Sequence, residues 1–234
     1  MAGKFWSLTL VGLASLLMAA APGPAHADPQ QYVVTYVEFQ PAFKEVGGEL
    51  LEQLATLGLK SRGAIRFSVN PEIGRPNFYV LVEIWDDANS RQKFESRDKT
   101  QTLLDAIQPL LEAPFDERPG TLIEAGKASP NSPQPGEIEV VTHIDIIPTF
   151  LDQAMPFILQ YVQDSASDPG VKEFLLVSWL DITNHFQLIE RFQGKGAFNA
   201  HVSAAHTVTF RNSIQDPMQP FIGSPYDERL YRTD

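Results

Sequence analysis

Apolar and polar residues alternate along residues 32–39, and a period of two is typical of a strand with one buried face. The pattern then changes to the wider spacing of an amphipathic helix. The same reasoning predicts these elements in order: a strand at 32–39, a helix at 41–59, strands at 64–69 and 78–85, a helix at 88–111 and a short strand at 120–123.

The whole pattern recurs 107 residues later without a gap over most of its length. Gly63 falls on Gly170, Phe67 on Phe174 and Asn77 on Asn184. In the second copy the same pattern predicts a strand at 139–147, a helix at 150–164, strands at 172–179 and 185–192 and a helix at 197–216, with a tail near Tyr231. We therefore expect two domains, at residues 31–123 and 138–234, joined by a Pro-, Gly- and Ser-rich linker at residues 124–137.

The order strand, helix, two strands, helix, strand is that of a ferredoxin-like α+β domain. Such a sheet carries helices on one face only, so its other face needs a cover. The tandem copy supplies a second sheet of the same kind. The sequence thus predicts two ferredoxin-like domains packed sheet to sheet.

The N-terminus has the pattern of an export signal. Lys4 precedes an apolar block at residues 5–21, and the small residues Ala25-His26-Ala27 follow. An uncleaved membrane anchor is the alternative, but the block is shorter than a bilayer-spanning helix. We expect residues 1–27 to be a signal peptide and the mature protein to be periplasmic or secreted, without a membrane segment.

Composition removes several classes of function. The 234 residues include no cysteine, which excludes disulfides, thiolate metal sites and thiol nucleophiles. The 18 Lys and Arg against 29 Asp and Glu, a net charge of −11, argue against a nucleic-acid partner. Of the five histidines, one lies in the signal segment and four lie in the second copy; the four are His143, His185, His201 and His206. The first copy has Tyr36, Phe78, Phe94 and Lys99 at the corresponding positions and is interpreted as degenerate.

Both copies resemble the antibiotic biosynthesis monooxygenase (ABM) domain. The residues that carry the resemblance are Gly63-x-Ile65-Arg66-Phe67 and the strand ending in Glu83-x-Trp85, and in the second copy Glu190-Arg191-Phe192 and Ala197-Phe198-x-Ala200-His201-x-Ser203-x-x-His206. The resemblance implies a pseudo-dimeric α+β barrel with a pocket between the sheet and the second helix. The family includes cofactor-independent oxygenases of quinols and polycyclic phenols, haem-degrading enzymes and autoinducer-processing isomerases, so the fold does not decide the reaction.

His201 and His206 are the first candidates for chemistry. His201 matches the family histidine and is predicted to be a general base or proton shuttle; a hydrogen bond between helix and sheet is the alternative. Five residues of helix place the two side chains about 140° apart, so both face one pocket only if the helix breaks between them. For His206 the alternative is a position on the helix surface.

A second candidate pair is His143 with Asp145, which the alternation places on the inner face of the barrel or at the seam between the sheets. Four aromatic residues are predicted either to line the substrate site or to fill the core, and these are Trp85, Phe192, Tyr36 and Phe198. Glu83 and Glu190 recur at one position and are predicted to be structural, bonded to Arg118 and Arg229.

No pair of histidines has the i, i+4 spacing of a helical zinc site, so no metal is predicted. No cofactor is predicted either, although the family leaves haem on His201 open. The predicted function is an exported, cofactor-independent monooxygenase of a small aromatic or quinol-type molecule. The alternative is a small-molecule or haem binding protein that has lost the reaction, which the missing histidines of the first copy favour.

Overall fold

The computed structural model describes residues 29–129, 131–215, 221–223 and 226–233. The strands are β1 (Gln31–Glu38), β2 (Ala64–Glu72), β3 (Arg75–Trp85), β4 (Asp116–Lys127), β5 (Ile138–Asp145), β6 (Val171–Trp179), β7 (His185–Phe192) and β8 (Asp227–Arg232). The helices are α1 (Lys44–Leu59), α2 (Ala88–Glu95), α3 (Asp98–Ile107), α4 (Leu151–Ser165), α5 (Lys195–Ser203) and α6 (Ala205–Ile214). None of the described helices is long and apolar enough to cross a membrane. The predicted signal peptide lies outside the described residues.

The strands close into one antiparallel barrel in the order β1-β3-β2-β8-β5-β7-β6-β4. Within each repeat the first strand pairs with the third, and the third pairs with the second. The last strand of each repeat then crosses over, because β4 pairs with β1 and β6 while β8 pairs with β5 and β2. The predicted pseudo-dimeric α+β barrel is therefore confirmed, and both seams between its halves are hydrogen-bonded.

Strand alternation divides the buried residues into three layers. Val34 and Tyr36 point into the barrel, whereas Val37 of the same strand packs under the helices of the first repeat. In the second repeat Val141 faces the barrel and Val140 faces the helices. Each repeat thus has its own core between sheet and helices, and the barrel interior is a third core shared by both.

Several element boundaries differ from the sequence predictions, among them those of both long second helices and of β4. The helix predicted at 88–111 is two helices, α2 and α3, and the helix predicted at 197–216 is likewise divided into α5 and α6. Strand β4 continues to Lys127, so residues 124–127 of the predicted linker are strand. They are held there because Glu124 and Ala125 pair with Leu176 and Leu175 of β6, in the other repeat.

Both helix breaks follow a serine at the same repeat position. The Ser96 hydroxyl donates to the Lys93 carbonyl at 3.2 Å, and the Ser203 hydroxyl lies 3.0 Å from the carbonyls of Asn199 and Ala200. The next residue is extended in each case, with ψ of 141° at Arg97 and 144° at Ala204. Serine hydroxyls that bond to preceding carbonyls compete with the helical pattern and favour such an interruption.

Candidate functional site

The break at Ala204 brings His201 and His206 together. His201 ends α5 and His206 begins α6, and their ring centroids are 5.8 Å apart. Both approach one carboxylate oxygen, because Asp168 Oδ2 lies 2.8 Å from His201 Nδ1 and 3.1 Å from His206 Nε2. The condition under which both histidines share a site, a broken helix, is met in this structure.

Asp168 is positioned by the tight turn between α4 and β6. Its amide donates to the Ser165 carbonyl at 3.1 Å, and its carbonyl accepts from the Val171 amide at 3.2 Å. Gly170 completes the turn with φ of 83°, and a Cβ there would lie 2.6 Å from the Cβ of Ala197. This glycine therefore permits both the backbone conformation and the close approach of α5 that brings His201 to Asp168.

His201 is enclosed, with 1% of its surface exposed. Its Nε2 lies 2.9 Å from the hydroxyl of Tyr161 on α4, and its ring packs against Phe174 and Phe192 at centroid distances of 5.6 and 5.1 Å. Burial lowers the pKa of His201, although the hydrogen bond to Asp168 opposes the shift. The imidazole is therefore held neutral, between a hydroxyl on one side and a carboxylate on the other.

Glu190 lies behind His201 on β7 and is almost fully buried. Its Oε2 is 3.9 Å from His201 Nε2 and has no hydrogen-bond partner among the described residues. Burial raises the pKa of Glu190 well above its ordinary value, and the nearby charge of Glu228 raises it further. Burial therefore favours the protonated, neutral form of Glu190.

A groove between α4 and α6 leads to the histidine pair. Its volume is about 160 Å³, and it is lined by Phe157, Gln160, Tyr161, Asp164, His206, Thr209, Phe210 and Ser213. Tyr161 and Phe210 stack face to face in its wall, with centroids 3.9 Å apart. A molecule in the groove meets His206 and Tyr161, whereas His201 is the next residue inward.

The other candidate pair lies in the barrel and does not meet the first. His143 packs between Trp179 and His185, at centroid distances of 5.0 and 5.1 Å. Asp145 does not bond to His143; it lies 3.2 Å from His185 Nε2 and accepts from Asn184 at 3.1 Å. Burial, reinforced by the charges of Arg118 and His185, lowers the pKa of His143 to about 4.

The four predicted aromatic residues are all buried. Trp85 and Phe192 are fully enclosed in the cores of the first and second repeats, and Phe198 packs on Phe192 at 5.5 Å. Tyr36 lies in the barrel with the guanidinium groups of Arg118 and Arg229 over its ring, at 4.4 and 4.8 Å. None of the four lines the groove beside His206.

The prediction that Glu83 and Glu190 bond to Arg118 and Arg229 was wrong. Glu83 accepts from Trp85 Nε1 at 2.7 Å and from Arg91 at 3.3 Å, and Glu190 accepts from Thr142 at 3.4 Å. The reason is strand alternation: both glutamates face the helices, whereas Arg118 and Arg229 face the barrel interior over Tyr36.

Sequence reasoning missed Asp168 and Tyr161, although the repeat contains a signal for them. At a shift of 107 residues the four polar members of the cluster replace Leu54, Ser61, Phe94 and Lys99 of the first repeat. In that repeat Phe94 packs on Trp85 at 5.3 Å, in the place of His201. An aspartate and a tyrosine therefore differ between the repeats together with the two histidines, and the positions of the histidines alone do not reveal this.

Haem does not fit this arrangement through His201. Nε2, the nitrogen nearest the groove wall, is bonded to Tyr161, and the ring is enclosed by aromatic residues. The groove volume of about 160 Å³ is also below the roughly 300–1,000 Å³ of ordinary cofactor pockets. A haem would have to displace Tyr161 from α4 to reach the imidazole.

The fold and the site define a tandem α+β barrel, and the second repeat carries the polar cluster of Tyr161, Asp168, His201 and His206. No protein-family model matches the chain, and no curated protein matches it. Solved structures with this fold include a candidate monooxygenase from Fusobacterium nucleatum, with a TM-score of 0.78 at 13% identity over 88% of this chain and 93% of that one.

Two more structures share the tandem arrangement. A candidate monooxygenase from Lactobacillus acidophilus has a TM-score of 0.69 at 10% identity, over 87% of this chain and 93% of that one. An anthrone oxidase-like protein has a TM-score of 0.65 at 12% identity, over 88% and 91% of the two chains. This chain therefore has the fold of those tandem monooxygenase-like proteins.

Proposed function

We propose that this protein is an exported monooxygenase that oxidises a small phenol or hydroquinone without an organic cofactor. The observation that carries the proposal is the pairing of His206 with Asp168 at the wall of an open groove. The likeness to structures named as monooxygenases and anthrone oxidase-like supports the class of reaction. The N-terminal signal pattern supports export.

The groove favours a molecule with one aromatic ring. Its volume is about 160 Å³, well below that of pockets for drug-sized ligands. Phe157 and Phe210 offer apolar surface, and Tyr161 offers a hydroxyl. A single phenol ring would bury its faces on the aromatic residues and direct its hydroxyl toward His206.

In this proposal His206 accepts the phenolic proton. The carboxylate of Asp168, 3.1 Å from its Nε2, stabilises the imidazolium that results. Neutral His201 holds Asp168 through the bond at 2.8 Å and so keeps the carboxylate in place. Tyr161 anchors His201 from the other side.

The reaction then proceeds on the substrate itself. The phenolate carries negative charge at the ring carbon ortho to the carbon that bears the oxygen. That ortho carbon transfers electrons to O2 and bonds to it, which gives a hydroperoxide. Loss of water from the peroxide leaves a new carbonyl group, so one oxygen atom enters the product and the other leaves as water. Hydroquinone and O2, one molecule of each, thus give one molecule of hydroxybenzoquinone and one of water.

The test is oxygen uptake by the purified mature protein with a panel of one-ring hydroquinones and three-ring anthrones. We expect turnover with the small substrates only, and a loss of about 10²–10⁴-fold in kcat/KM in His206→Gln. His185→Phe is the matched control, because it removes a histidine of the barrel cluster and leaves the groove intact. Absence of oxygen uptake with every substrate, or unchanged kcat/KM in His206→Gln, would overturn the proposal; ligand binding without turnover would favour the non-catalytic binding protein.

A further inference from the structure

We infer that Asp168, His201 and His206 form a binding site for one divalent transition-metal ion of the zinc type. Each residue offers one ligand atom, and the three atoms lie within 4.8 Å of one another. Asp168 Oδ2 lies 2.8 Å from His201 Nδ1 and 3.1 Å from His206 Nε2, close enough for all three atoms to reach one ion at ligand distances of about 2.1 Å.

The site has a buried nitrogen that no other described residue satisfies. His206 Nε2 is shielded from solvent and close to Asp168, but it has no hydrogen bond of acceptable geometry to any described residue. An uncompensated buried nitrogen is costly and calls for an explanation. A metal ion between His206 and Asp168 would satisfy it, because coordination needs convergence of lone pairs and not a linear N–H···O arrangement.

The surroundings of His201 match those of a metal-bound imidazole. When Nδ1 ligates an ion, Nε2 must carry the proton, and the hydroxyl of Tyr161 lies 2.9 Å away to accept it. Phe174 and Phe192 pack against the ring and hold its orientation. Outer contacts of this kind position the ligand and strengthen its bond to the metal.

The ligand set also indicates which ions bind. Two imidazoles and one carboxylate suit zinc and the neighbouring transition metals, whereas magnesium and calcium prefer oxygen ligands throughout. Three protein ligands leave at least one coordination position for water or another small molecule. The i, i+4 criterion applied to the sequence could not find this site, because its ligands come from a turn and two different helices.

The first repeat provides natural controls. Its residues at the three ligand positions are Ser61, Phe94 and Lys99, which cannot form the same ligand set. Substituting these residues into the second repeat therefore removes ligands one at a time with side chains that this fold already accommodates. The most informative changes are His206→Lys and Asp168→Ser.

The test is titration of untagged, chelator-treated protein with Zn²⁺ by isothermal calorimetry, with Co²⁺ absorption as a spectroscopic measure of the same site. We expect one ion per chain, and at least about 100-fold weaker binding in His206→Lys and in Asp168→Ser. Tyr161→Phe keeps all three ligands and loses only the outer contact, so about 10-fold weaker binding is expected. His185→Phe should bind as wild type does.

No binding by wild-type protein, or equal affinity in wild type, His206→Lys and Asp168→Ser, would overturn the inference. Asp168→Asn is a second test of the carboxylate that changes the shape of the side chain least, with folding of each variant checked by circular dichroism. These measurements need no substrate, so they stand or fall independently of the proposed oxygenase. If both hold, zinc and the phenolic proton compete for His206, and excess zinc should inhibit oxygen uptake until a chelator removes it.

Discussion

Arg66 and Glu173 form a buried ion pair although they occupy the same position in the two repeats, 107 residues apart. Two copies of one chain related by a two-fold axis would place identical residues there, facing each other. The tandem chain allows opposite charges at this position. Arg66 also bonds to Glu139, so one buried guanidinium joins β2 of the first repeat to β5 and β6 of the second.

Arg66→Met should therefore destabilise the whole barrel. The change leaves the buried carboxylates of Glu139 and Glu173 without their shared cation, and removal of one partner from a buried ion pair costs about 3–5 kcal/mol. Urea denaturation measures the loss in free energy of unfolding. Arg75→Met is the control, because Arg75 pairs with Glu72 while about half exposed, and a surface pair contributes about 0–1 kcal/mol. Equal losses in the two variants would contradict the prediction.

Gly170→Ala tests the turn that holds Asp168. Gly170 and Gly74 have φ of 83° and 90°, but an added Cβ clashes with Ala197 only at Gly170. We expect Gly74→Ala to cost about 1–2 kcal/mol for the left-handed backbone alone, and Gly170→Ala to cost at least about 1 kcal/mol more. Thermal denaturation of both variants measures the difference. A Gly170→Ala protein no less stable than Gly74→Ala would show that α5 can move away from the turn.

Acidification should destabilise the protein partly through His143. Burial lowers the pKa of this histidine to about 4, below its ordinary value near 6.5. Between these values the unfolded chain binds the proton and the folded chain does not, so stability falls as the pH falls from 6.5 to 4. His143→Gln should reduce this loss by roughly 1–2 kcal/mol after allowance for solvent screening, measured by urea denaturation at pH 7 and pH 4. An unchanged pH dependence would show that the pKa of His143 is the same in the folded and unfolded chains.

Glu190 should have the opposite effect at high pH. Burial raises its pKa, so above the unfolded value near 4.5 the unfolded chain loses a proton that the folded chain retains. Stability then falls as the pH rises. Glu190→Gln is neutral at every pH and should be more stable than wild type at pH 8 by about 1 kcal/mol, with a smaller difference at pH 4.5. Denaturant unfolding at the two pH values measures the difference in free energy of unfolding between the variant and wild type. A variant less stable than wild type at pH 8 would show that Glu190 is not protonated in the folded protein.

The order of elements, the repeat and the α+β class followed from the sequence alone. Periodicity reports which face of a strand or helix is apolar, and it placed β7 at residues 185–192, as the structure has it. The same alternation correctly directed Val141 and His143 toward the barrel. The concentration of histidines in the second repeat was also visible in the sequence and gave the site its approximate place.

The tertiary structure decided which of those residues meet. Whether His201 and His206 share a site depends on the break at Ala204, whereas the sequence pattern predicted one helix over residues 197–216. Asp168 and Tyr161 reach the histidines from a turn and another helix, over separations of 33 and 40 residues for His201. Periodicity describes the surroundings of a residue along its own element only. Contacts between elements depend on turns, on close backbone approaches such as that at Gly170, and on how the helices pack.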